Sequence, residues 1–363
     1  MLQIFKMCAY SIIFLLPLSL LIIQLIDLSI EESFAQSYPF IASTRNSYDL
    51  YNGKIMQPPN LPSALSILNS NNCPGELAVY VHGVWATDEQ AKEQTDRVYL
   101  SLINNGYSIP LIGFSWDSNT AENQSGWSIA KLIANENGQQ FAEFIKSFKD
   151  ECANDNIRII AHSLGSRVTL SAIQSLYESY SAPIVTDLIR SVHLLGAAID
   201  DEQISSDDLS ECNVINSPPL KCSGEAVGLV VQNFYNLYNA EDNMLAPQII
   251  PSCLWCSCPF CFTYESSYHS AENDDPLGAY PVKDIVNVPA NYYEYSVEDT
   301  IELIDDANAD GDCDLIYEDL CTIIYKGDNH FGYMGYRSVD NQADVYNTGA
   351  IGFVTLDWIN ENS

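Results

Sequence analysis

Basic residues are scarce in this chain. Fifteen Lys and Arg stand against 48 Asp and Glu in 363 residues, a formal net charge of −33. So acidic a surface repels nucleic acid and anionic membrane surfaces, which excludes both as partners recognised by charge. Histidine is also sparse, at five residues, so chemistry that needs an imidazole has few places to reside. No internal repeat of fixed period is present, which excludes solenoid and propeller architectures. Hydrophobic residues make up 47% of the chain, and that content excludes wholesale disorder.

Residues 1–35 read as an export signal. Lys6 supplies a positive start, residues 8–26 are almost wholly apolar, and Ser33-Phe34-Ala35 offers a small-x-small cleavage site. The alternative is an uncleaved anchor, because the apolar run approaches the roughly 20 residues that span a bilayer. That segment would then hold the chain at a membrane surface. Either way the remainder lies outside the cytoplasm, secreted or on the outer face of the cell membrane. Loss of residues 1–35 removes Lys6 and three acidic residues, leaving a net charge of −31.

Eleven cysteines are present, and Cys8 lies in the signal. An even set outside the cytoplasm implies disulfides. Cys73 and Cys152 each precede an expected parallel strand by a few residues, so both sit at one end of the sheet and can pair. Cys212 with Cys222, and Cys313 with Cys321, could close short loops.

Residues 36–72 are polar and form an extended lead-in. From residue 73 onward apolar strands alternate with helical patterns. Strands are expected at 77–81, 110–116, 157–161, 192–198, 230–238 and 321–325, with helices over 87–103, 126–149 and 164–179. Thr87 and Gln90 match a capping box, and Gly138 weakens the middle of the long helix. This pattern predicts an α/β fold, a mostly parallel sheet covered by helices on both faces, as one domain over 73–363. Residues 200–228 and 246–320, rich in Cys, Asp, Pro and Tyr, read as insertions at loop ends.

Ala161-His162-Ser163-Leu164-Gly165 lies where a buried strand meets a helix. A tight strand-to-helix turn there would lift Ser163 clear of the sheet in a strained backbone. It needs small residues two before and two after, here Ala161 and Gly165. The following helix directs its positive dipole end at the site. Together with Val81-His82-Gly83 and Phe114-Ser115-Trp116, these residues resemble the α/β-hydrolase superfamily. More narrowly, they resemble a poorly characterised prokaryotic branch of lipase- and esterase-like hydrolases. Ala161 departs mildly from the superfamily's usual Gly.

The resemblance implies a secreted serine hydrolase that cleaves carboxylic esters through an acyl-enzyme, with Ser163 as nucleophile and a small-molecule or lipid ester as substrate. An amidase, an acyltransferase or a binding protein on the same scaffold are the alternatives. The oxyanion hole is expected at the backbone N–H groups of Leu164 and Val84, with Gly83 letting the chain turn and His82 organising the loop. The superfamily order of Ser, acid, His leaves His269 and His330 as bases. His330 is preferred because it follows an expected strand. The acid is expected at Asp242 in the turn after the 230–238 strand, flanked by Asn239 and Leu245. Glu241, Asp200 and Asp201 are alternatives.

No organic cofactor is implied. Asp306, Asn308, Asp310, Asp312 and Asp314 match the opening of a calcium loop, but position twelve is Tyr317, so a structural Ca²⁺ would bind as in looser secreted modules. The alternative is an acidic turn held by Cys313–Cys321. Cys253, Cys256, Cys258 and Cys261 have zinc-like spacing, though disulfides suit an oxidising compartment better. Their apolar neighbours suggest a lid over the acyl pocket.

Overall fold

The computed structural model describes residues 39–179, 186–207, 209, 212, 220–240, 242, 244–246, 276–283, 286–301, 330–337 and 346–362. Seven strands form one all-parallel sheet: β1 (Phe40–Ser43), β2 (Glu76–Val81), β3 (Leu111–Ser115), β4 (Asn156–His162), β5 (Ile189–Leu195), β6 (Val231–Tyr238) and β7 (Tyr292–Ser296). Their order is β1-β3-β2-β4-β5-β6-β7. After a four-residue helix α1 (Ala64–Ile67), the crossovers are α2 (Asp88–Asn104), α3 (Gln124–Glu151), α4 (Gly165–Ser179) and α5 (Gly224–Val230). The chain ends in α6 (Ile351–Asn362). This is the α/β-hydrolase fold that the resemblance implies.

Parallel strands require crossovers, and crossovers cover both faces, so the central strands are buried on two sides. Leu77 through Val81 have no exposure at all. Ala78 and Tyr80 face a core shared with Val98 and Leu102 of α2 and with Ile351, Val354 and Trp358 of α6. On the opposite face Phe114 meets Phe141 of α3, with ring centroids 4.7 Å apart.

Helix α2 starts with the expected capping box: Gln90 N donates to Thr87 Oγ1 at 3.2 Å, and Thr87 N donates to Gln90 Oε1 at 2.9 Å. Helix α3 runs unbroken through Gly138. A glycine costs a helix interior about 1 kcal/mol, and here it makes room. A Cβ at Gly138 would lie 2.2 Å from Ser171 Oγ of α4, so the bare backbone allows the two crossover helices to touch.

The switch in connection direction lies between β2 and β4. The chain leaves β2 toward β3 on one side and leaves β4 toward β5 on the other. Open parallel sheets bind ligands in the crevice at the carboxyl ends of two such strands. Val81 and His162 end these strands.

One buried charge locks the far end. Arg158 of β4 is fully buried; it bonds Glu76 of β2 and Glu361 of α6, and donates to Ser191 Oγ and Asn362 Oδ1, each at 3.0 Å. Its guanidinium also lies 5.2 Å from the Trp358 ring centre.

The lead-in contributes β1, which pairs with β3. Strand β7 falls inside the stretch expected to be only an insertion, a correction to that part of the reading. Its Tyr-Tyr-Glu-Tyr-Ser sequence is that of a half-exposed edge strand, with Tyr293 and Tyr295 open to solvent, and gives no buried apolar run. The expected 321–325 strand, Cys253–Cys261, Cys313–Cys321 and the candidate Ca²⁺ ligands all lie outside the described residues. No helix among the described residues is long and apolar enough to cross a membrane.

Among the described residues two disulfides are present, Cys73–Cys152 and Cys212–Cys222, both as expected. Cys73–Cys152 spans 79 residues and ties the start of β2 to the end of α3. Replacing both of these cysteines with Ser should lower unfolding free energy by about 3 kcal/mol in urea without reductant. An unchanged midpoint would show that the link does not constrain the unfolded chain.

Candidate active site

Ser163 sits between the end of β4 and the start of α4 with φ +53°. A left-handed conformation at a non-glycine residue costs about 1–3 kcal/mol and persists only where neighbours enforce it. They do so here. Ser163 N donates to Leu195 O at 3.0 Å, Ala198 N donates to Ser163 O at 3.2 Å, and Ser166 N donates to Ser163 O at 3.0 Å.

Two glycines make the elbow possible. A Cβ at Gly165 would lie 2.4 Å from Val81 O and 2.7 Å from His82 O, so α4 begins against the bare end of β2. A Cβ at Gly83 would lie 2.7 Å from Ser163 Cβ and 3.2 Å from its Oγ. The expected reason for Gly83, a sharp backbone turn, needs correcting: Gly83 is there for space. The left-handed residue of that loop is Trp85, at φ +58°.

The loop after β2 is braced from three directions. Trp116 N donates to His82 Nε2 at 3.1 Å, and Arg45 Nη2 lies 3.3 Å from the same nitrogen. Both neighbours are donors, so Nε2 accepts and the proton sits on Nδ1, which donates to Gly83 O at 2.8 Å. Trp116 Nε1 donates to His82 O at 2.8 Å, and its ring stacks on His82. Arg45 Nη2 reaches Ala86 O at 2.9 Å, while its Nε donates to Ser115 Oγ at 2.6 Å. Burial pushes the His82 pKa down to about 3, with Arg45 adding to the shift, so the ring is neutral. Among the described residues, neither Val84 N nor Leu164 N donates to a backbone carbonyl.

Asp242 is fully buried in the turn after β6. Its Oδ1 accepts from Met244 N at 2.9 Å and Leu245 N at 3.1 Å, which fixes the carboxylate. Its Oδ2 accepts from His330 Nδ1 at 2.7 Å. That bond leaves His330 Nε2 as the basic nitrogen. Tyr333 packs beside the pair; burial and the charge of Asp242 hold its phenol protonated.

His330 lies against the elbow, its ring centroid 4.6 Å from that of His162. Among the described residues no hydrogen bond joins Ser163 Oγ to His330. Catalytic contacts are often loose before substrate binds.

Asp201 accepts from Lys283 N at 2.9 Å, Asp200 bridges to Pro276, and Glu241 and His269 lie outside the described residues. His193 pairs with Asp357 of α6 at 3.1 Å. Among the described residues, the one grouping of candidate metal ligands is Cys73, Cys152 and Asp155, and the two sulfurs are bonded to each other. Sequence reasoning missed Arg45 and Tyr333. Arg45 carried a signal, one of two cations, with Lys54, in the polar 36–72 stretch of a chain with few; Tyr333 carried none.

Residues 65–243 match a family model described as "Alpha/beta hydrolase of unknown function (DUF900)". No curated protein sequence matches the chain. Among solved structures, the catalytic core domain of acetyl xylan esterase from Trichoderma reesei is 10% identical; the match covers 63% of this chain and 85% of that one, with TM-score 0.29. A cutinase-like protein from Cryptococcus sp. is 12% identical over 38% of this chain and 58% of that one, with TM-score 0.25. Aspergillus fumigatus lipase B is 9% identical over 77% and 62%, with TM-score 0.31.

The buried neutral His82 generates a pH prediction. Its folded pKa, about 3, lies below the ordinary value of 6.5, so the unfolded chain takes up the extra proton between these values. The stability is complete above pH 6.5 and lost as pH falls from there toward 3. In H82N, which can still donate to Gly83 O, the slope of unfolding free energy against pH in this window should be smaller by about 1.4 kcal/mol per pH unit. An unchanged slope in urea titrations would contradict a buried neutral ring.

Proposed function

We propose that the chain, a member of the α/β-hydrolase superfamily by strand order and family match, is an extracytoplasmic serine hydrolase that cleaves carboxylic esters. The observation that carries this reading is the convergence of three parts at the switch between β2 and β4. A serine held at φ +53° is followed directly by Leu164 and sits beside the loop after β2 that carries Val84. A buried His330–Asp242 pair lies against the same turn.

Ser163 Oγ attacks the ester carbonyl while His330 Nε2 takes its proton. The carbonyl oxygen becomes an oxyanion and is stabilised by the Val84 and Leu164 N–H groups. Asp242 stabilises the imidazolium without taking the proton. His330 then returns the proton to the departing alkoxide, leaving an acyl-serine. Water, deprotonated by His330, attacks the acyl carbon; the carboxylic acid leaves and Ser163 regains its proton. The two disulfides fit an oxidising compartment, which supports export.

Nitrophenyl esters from acetate to palmitate, run beside matched anilides, test the proposal. The wild type should turn over esters well ahead of anilides. S163A should fall to background, and D242N should lose on the order of 10³–10⁴ in kcat. Unchanged ester turnover in S163A would sink the reading.

A further inference from the structure

His162 has no part in that reaction, yet it is bonded to the base. Its Nε2 lies 2.7 Å from the carbonyl oxygen of His330. A carbonyl only accepts, so Nε2 carries the proton and His162 is the Nε2–H tautomer. The ring is buried, and its Nδ1 is enclosed without a partner. Gly83 closes that side, where a Cβ would lie 3.4 Å from Nδ1. Phe331 and Tyr333 flank the ring at centroid distances of 5.9 and 6.1 Å.

Both ends of this bond belong to the proposed machinery. His162 is the last residue of β4 and is contiguous with Ser163. His330 is held at two points, by Asp242 on its ring and by His162 on its main chain. With no hydrogen bond from Ser163 to His330 among the described residues, these two attachments set where the base stands. The Asp242 bond alone would leave the ring free to pivot about Nδ1.

We propose that His162 is a positioning residue, whose Nε2–H bond to the His330 carbonyl sets the placement of the base over Ser163. This rests on the triad reading above. Burial, with His330 beside it, drives the His162 pKa well below its ordinary value. The ring stays neutral and does not repel the imidazolium that forms next to it. Two residues with separate tasks thus share one turn: Ser163 reacts, and His162 registers the loop that carries its base.

The test uses the full chain with H162L, which keeps bulk and loses the donor, and H162Q, whose amide can reach the same carbonyl. Nitrophenyl butyrate kinetics should show kcat down about 30-fold in H162L with KM nearly unchanged. H162Q should recover most of that loss at similar Tm. Wild-type kcat in H162L, or equal loss in a folded H162Q, would overturn the proposal. Because H162L could fail to fold, ¹⁵N NMR of the wild-type imidazoles supplies a second arm. A neutral Nε2–H His162 supports the tether, and an Nδ1–H or charged ring overturns it. A wild type that hydrolyses no ester would count against the triad reading, while the tautomer still decides the tether.

Discussion

The backbone of Ser163 has to stay left-handed, at φ +53°, and a large share of the surrounding structure keeps it so. Leu195 at the end of β5 and Ala198 in the turn after it grip it. Gly165 lets α4 start against β2, and Gly83 vacates the space into which the side chain rises. These contacts exist because β2 and β4 are neighbours whose connections leave in opposite directions. The topology creates the switch point, and the elbow places Ser163 at it. Strain at one residue is sustained by a sheet that is buried on both faces and has no room to relax.

Four histidines fall within the described residues, and all are buried with distinct attachments. His82 accepts from Trp116 and Arg45 and steadies the loop after β2. His162 donates to the His330 main chain. His193 pairs with Asp357 and helps dock α6. His330 pairs with Asp242. Burial disfavours charge on the first three. Their neutrality leaves Asp242 facing His330 without a competing cation among the rings, and it couples folding to pH on the acid side.

The sequence revealed most where structure is local. The Thr87–Gln90 capping box, the apolar runs of β2 and β4, and the Ser163 turn each depend on residues a few positions apart. The expected strands at 77–81, 157–161 and 230–238 lie within a residue or so of those observed. What depended on distant partners was hidden. Arg158 sits inside an otherwise apolar run, and its partner Glu361 comes from the last helix. Gly138 reads as a helix weakness until Ser171 of α4 is seen against it. Edge strand β7, Tyr-Tyr-Glu-Tyr-Ser, shows no buried apolar run because only part of it is covered. Asp242 and His330 could be singled out only by their order along the chain and their places after expected strands; their bond links residues 88 positions apart.

The strained Ser163 is the proposed reacting group. A fluorophosphonate probe followed by peptide mass mapping tests it most directly. One stoichiometric adduct is expected, on the tryptic peptide bearing Ser163, with labelling abolished in S163A. An adduct on any other residue, or none in the wild type, would contradict it.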